Sequence, residues 1–154
     1  MRRFLLVLLV IAVLAAGGVV GAEYYAFQET DLRFTQAHLS GLSTSGIEVT
    51  LVAEAENPTP IGTTISEQYL EVYSSETHVA TVDRQSTVIV PGEESRLLKY
   101  PTTLDAGGAL RAFVERLGSD RTTIRIQGQY TFASRWLGVE VNVPVAEERV
   151  RLTR

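Results

Sequence analysis

In the stretch GIEVTLVAEAENPTPIG, residues 46–62, every second residue from Ile47 to Ala55 is apolar, and the run stops at two prolines. Ile47, Val49, Leu51, Ala53 and Ala55 fall on one side of the alternation; Glu48, Thr50, Glu54 and Glu56 fall on the other. Side chains of a β-strand point alternately to opposite faces, so this segment predicts a half-buried strand. The pattern recurs along the chain. DLRFTQAHL (31–39) alternates weakly and suits an edge strand or the strand by which the chain enters the domain. ISEQYLEVYS (65–74) sets Gln68, Leu70 and Val72 against Tyr69, Glu71 and Tyr73. THVATVD (77–83), STVIVP (86–91) and ESRLLKYPTTL (94–104) follow, separated by short polar or Pro-Gly turns. TTIRIQGQYTF (122–132) and GVEVNVPV (138–145) form a predicted antiparallel hairpin, and ERVRLTR adds a last strand.

One helical stripe interrupts these strands. Leu110, Phe113, Val114 and Leu117 recur at helical spacing, Asp105 is placed to cap the start, and Gly118 to end it. Gly107 and Gly108 weaken its first turn by about 1 kcal/mol each relative to alanine. Seven or eight short strands with regular turns predict a mainly β fold: an antiparallel two-sheet, immunoglobulin/fibronectin-like β-sandwich with one α-helix covering an open end or face.

The sandwich is preceded by an uncharged run, Phe4 to Ala22. Nineteen residues in a helix span about 28 Å, close to the thickness of a bilayer core. Arg2 and Arg3 precede the run and Glu23 follows it, which places the N-terminus in the cytoplasm and the domain outside. Tyr24, Tyr25 and Phe27 then fall at the outer interface. A cleaved signal peptide is the second reading, with Val20-Gly21-Ala22 as the processing site and a secreted product. The expected division is 1–27 as anchor or signal peptide and 28–154 as the exported domain.

The composition excludes several kinds of chemistry. The chain has no cysteine, so no disulfide, thiolate nucleophile or thiol-bound metal is available. A net charge of −4 with no basic stripe argues against nucleic acid as a partner. His38 and His78 stand apart in sequence, each in a strand with no neighbouring ligand. GLSTS (41–45) has Ser45 where a nucleophile elbow needs glycine, and it is not set between a strand and a helix. Glu54 and Glu56 lie on a polar strand face, while Glu93-Glu94 and Glu147-Glu148 lie in turn-like segments; all read as solvated charge. Trp136, in the loop ASRWLG, either caps the core or dips into a membrane or partner. No catalytic constellation, metal site or cofactor motif emerges, and no enzyme activity is expected.

The order of these pieces resembles a known family. A strand ending in Asn-Pro (VAEAENPTPIG) is followed by YLEVYS, HVATV and IVPGEES, then a strand and helix (LLKYPTTLDAGGALRAFVERL) and a glycine-bearing hairpin strand (IRIQGQYTF). This is similar to the late embryogenesis abundant (LEA) type 2 family, or WHy (water stress and hypersensitive response) domain, over residues 32–150. Members often carry a second Asn after the Pro; here Thr59 stands in its place. The resemblance implies a two-sheet sandwich with one helix, no enzyme activity, and a role in desiccation and stress protection. For some membrane-anchored relatives it also implies lipid binding.

Asn57 and Pro58 themselves have a physical reading. Pro58 lacks an N–H and cannot sit inside a paired ladder, and Asn57 can close an Asx-turn. The motif is expected to end the strand and to be structural. Two functions result: a non-catalytic, membrane-anchored protector of membranes or client proteins under water stress, or a lipid-binding or lipid-transfer module. The second needs an apolar groove, which the stripe Leu110, Phe113, Val114 and Leu117 could line.

Overall fold

In the computed structural model, which describes residues 2–43, 46–74, 76–104, 123–136 and 138–153, a long helix leads into seven strands. The elements are α1 (Arg2–Glu29), β1 (Asp31–Ser43), β2 (Gly46–Asn57), β3 (Thr63–Ser74), β4 (Thr77–Val90), β5 (Glu94–Leu104), β6 (Thr123–Ala133) and β7 (Glu140–Thr153). The expected helix over Leu110, Phe113, Val114 and Leu117 falls outside the described residues.

The strands form one sheet in the order β4-β3-β6-β7-β1-β2-β5, not two antiparallel sheets. All neighbours run antiparallel except β7 and β1, which pair in parallel through Ala37–Leu152 and His38–Thr153. That short parallel seam joins what would otherwise be two faces of a sandwich. The sheet curls until its outer strands approach: Arg84 of β4 donates to the Lys99 carbonyl of β5 at 2.9 Å and lies over the Tyr100 ring at 5.9 Å. The result is a nearly closed mixed barrel. Alternation cannot distinguish it from a sandwich, because both bury every second residue.

Strands expected as pairs of short pieces are single long ones that bulge. The polar pair Arg84-Gln85 was expected as a turn between two strands. It lies inside β4, where Ser86 and Thr87, between Gln85 and Val88, oppose the single residue Ser66 between Ile65 and Glu67. β7 likewise runs unbroken through Ala146 and Glu147, with an extra residue against Ile126–Gly128 of β6. Each bulge inserts one residue and raises the local twist, which helps a long strand wrap a barrel. Bulging also accounts for the weak alternation of β1. Thr35 is the extra residue opposite β2, so Phe34 and Ala37, three apart, both face inward. β1 is therefore an inner strand between β7 and β2, not an edge.

The core lies inside the curl. Leu51, Ile65, Leu70, Ile124, Ile126 and Phe132 are fully buried, each contributing about 1.5–3 kcal/mol from lost apolar exposure. β2 and β3 bury the faces that their alternation predicts.

The last turns of α1 belong to this core. Ala26 and Phe27 are buried, and Phe27 stacks on Phe132 with ring centroids 5.2 Å apart. Thr30 ends the helix by donating its N–H at 3.0 Å and its hydroxyl at 2.6 Å to the Ala26 carbonyl. Glu23, also buried, accepts a hydrogen bond from Ser134. From Leu8 to Leu14 the large apolar side chains of the same helix are exposed, and Leu8–Glu29 is long and apolar enough to cross a membrane.

Candidate functional site

The helix end of the barrel collects α1 and three loops, β2–β3, β4–β5 and β6–β7. Asn57 is its centre. The side chain is 1% exposed and uses both ends of its amide. Oδ1 accepts from Thr59 N at 3.1 Å, closing an Asx-turn, and from the Thr59 hydroxyl at 2.8 Å. Nδ2 faces three carbonyls: Ile61 at 2.7 Å, Pro91 at 3.2 Å and Val90 at 3.4 Å. Asn57 thereby ties its own loop to the β4–β5 turn.

The fit between these loops is close. Glu93 N donates to Thr59 O at 2.8 Å, and a Cβ added to Gly92 would stand 2.4 Å from the Pro60 backbone. Thr59 is buried and bonded to Asn57 on both its N–H and its hydroxyl. Pro58 is exposed, leaves the ladder and makes no polar contact of its own. No reactive atom is presented here; the arrangement holds two loops together. The chain returns to the core at Thr63 and Ile65, with Ile61 only half-buried.

The opposite end carries a second polar cluster, this one on the surface. The Glu71 carboxylate accepts from Gln127 Nε2 at 3.1 Å and from the Tyr73 hydroxyl at 3.0 Å. The Gln127 bond, with Tyr73 next, holds the Glu71 carboxyl below its usual range, and the same carboxylate raises the Tyr73 phenol. Arg125 lies 4.8 Å over the Tyr73 ring and pairs with Glu76 at 3.6 Å and Glu147 at 3.7 Å. An open groove of about 380 Å³ runs beside this cluster, lined by Tyr69, Glu71, Gln127, Gly128, Gln129 and Val145. Its lining is divided about evenly between polar and apolar surface.

The remaining candidates are kept apart. His38 of β1 binds Gln36 at 2.7 Å and Thr153 at 2.9 Å. His78 of β4 binds Thr81 at 3.0 Å and meets Tyr73 edge-on. Glu148 reaches across the parallel seam to accept from Phe34 N. Among the described residues no group of three or more His, Cys, Asp or Glu is placed to hold a metal. Trp136 does not cap the core: it is 75% exposed.

Sequence reasoning missed two features. Glu23 looked like the charged boundary of the apolar run, yet it is buried against Ser134. The inward hydroxyls of Tyr100 and Tyr130 were also unforeseen. Burial pushes Tyr100 up to about 12 and raises Tyr130 further, with Tyr100 beside it adding to the shift. An inward phase for Tyr130 was readable from the alternation; the depth of its burial was not.

No family model and no curated protein matches the chain. Solved structures do. An Arabidopsis thaliana protein superposes with a TM-score of 0.61 at 15% identity over 80% of this chain and 82% of its own. A protein from Archaeoglobus fulgidus gives 0.52 at 18%, over 80% and 99%. A protein provisionally assigned to the late embryogenesis abundant group gives 0.54 at 16%, over 90% and 85%. At these identities the likeness is one of fold: the chain has an LEA-like β fold behind an apolar helix.

Proposed function

We propose that this chain is a non-catalytic, membrane-anchored protein whose barrel protects membranes or client proteins during water stress. The observation that carries the reading is α1, whose exposed apolar length continues without a break into turns packed inside an LEA-like barrel. A domain fixed to its anchor in this way is held at the bilayer surface, where drying damage to membranes occurs. In this reading the N-terminus is cytoplasmic, the barrel is extracytoplasmic, and the WHy-type resemblance extends to function.

The test is drying and rehydration of dye-loaded vesicles that carry the full-length protein. Retention of dye well above that of vesicles carrying an unrelated anchored barrel supports the proposal; equal leakage sinks it. The lipid-binding reading depends on Leu110, Phe113, Val114 and Leu117. A stoichiometric lipid seen by native mass spectrometry, and lost in a folded Phe113→Asp variant, would favour it instead.

A further inference from the structure

We propose that the tip of the β6–β7 hairpin, with Trp136 and Val139, is seated in the bilayer interface beside α1 and gives the barrel a second membrane contact. The inference rests on the reading of α1 as a membrane anchor.

The geometry places the tip at the right height. Phe27 of α1 stacks on Phe132 of β6, and one turn nearer the N-terminus Glu23 meets Ser134. Four helical residues rise about 6 Å and two strand residues about 6.6 Å, so hairpin and helix climb together. Trp136 N donates to Ser134 Oγ at 3.3 Å, which puts the backbone of Trp136 at the level of Glu23, one residue from the end of the uncharged run. Thr63, at the close of the β2–β3 loop, lies beside Thr30, with their hydroxyls 3.4 Å apart. The β4–β5 turn is tied to that same loop through Asn57.

The chemistry of the tip fits the interface. Trp136 is 75% and Val139 51% exposed, and Tyr24 and Tyr25 on the adjoining helix turn are 49% and 56% exposed. Tryptophan and tyrosine favour the headgroup boundary, where a ring meets hydrocarbon and its N–H or O–H meets water. On the adjoining helix the Glu23 carboxyl is masked, because it is buried and hydrogen-bonded to Ser134. Arg135 is turned back to the barrel, donating from Nε to Thr64 Oγ1 at 3.1 Å.

Trp136 is the sole tryptophan, so its fluorescence reads the proposal directly. Full-length protein is reconstituted in phosphatidylcholine vesicles, and the same lipid with brominated acyl chains serves as quencher. The expected result is blue-shifted emission, quenched more by bromine near the headgroup end of the chain than near the methyl end. Water-like emission untouched by either brominated lipid overturns the proposal. A Trp136→Phe, Leu14→Trp double variant tests the anchor separately, since both positions are exposed and neither contributes to the core. If its new tryptophan is quenched while Trp136 in the parent is not, the anchor stands and the seat alone fails. If neither is quenched, both fail.

Discussion

The two ends of the barrel use similar polar groups in opposite surroundings. At the helix end the Asn57 amide is buried and faces the carbonyls of two loops. At the far end Gln127 offers a like amide to Glu71 and Tyr73, on the surface. The first amide has no water to replace a lost partner; the second does. Hydrogen bonds of similar length are therefore worth different amounts, and the helix end should be much the less tolerant of change.

The largest expected effect is at the junction of α1 and the barrel. Phe27→Ala empties a buried position against Phe132 and should cost about 3–5 kcal/mol, measured by thermal or denaturant unfolding of the full-length protein in micelles. A loss below 1 kcal/mol would mean that the helix end is not part of the cooperative core. Asn57→Ala comes next. It leaves loop carbonyls and the Thr59 N–H without their partner and should cost about 1–3 kcal/mol, while Pro58→Ala, at an exposed position, should cost less. Equal effects at the two positions would break the assignment of the clamp to the Asn57 amide.

Between the ends lie Tyr100 and Tyr130, whose raised values predict an alkaline weakness. In the unfolded chain tyrosine titrates near its ordinary value of 10, whereas folded Tyr100 holds its proton to about 12 and Tyr130 beyond that. The folded state then binds more protons than the unfolded one. Stability is whole below pH 10 and falls as pH rises through the folded values, by about 1.4 kcal/mol per pH unit for each tyrosine. Tyr130→Phe should flatten that decline in alkaline unfolding curves; an unchanged slope would discount the buried hydroxyl.

The smallest effect belongs to the far end. Gln127→Leu should change stability by no more than about 1 kcal/mol, yet it should move the Glu71 carboxyl up toward its usual range, which carboxyl NMR titration reads. The sign is that of a depressed acid: its contribution is present above the ordinary carboxylate value and lost as pH falls through the folded one. Should Gln127→Leu destabilise as much as Asn57→Ala, the contrast between the ends collapses.

Much of the fold was legible, and the places where it was not share a cause. The face of β2, that of β3 from Gln68 to Val72, and the bounds of β5 could be read because these segments keep a period of two through their core-facing positions. β1, β4 and β7 could not be read whole. A bulge costs one residue of phase, and along a single strand that looks like a weak pattern or a turn. Thr35 made β1 look like an edge or entry strand, and the polar pair Arg84-Gln85 looked like a turn. The Asn57-Pro58 break was visible as a strand end, but the carbonyls that Asn57 reaches include two, at Val90 and Pro91, more than thirty residues away along the chain.

What the sequence determined by itself is what a single strand or helix decides locally: which side chains share a face, where proline forbids a ladder, and that Phe4 to Ala22 is an uncharged run long enough as a helix to cross a bilayer. The tertiary structure decided how the strands close. Parallel pairing of β7 with β1 is a contact between the two ends of the barrel sequence, and nothing in either strand's own pattern distinguishes it from an edge left open. Tertiary structure also decided that the apolar helix is continuous with the core. Phe27 and Glu23 are buried only because Phe132 and Ser134, more than a hundred residues later, rise beside them, and burial is a property of the pair rather than of either residue.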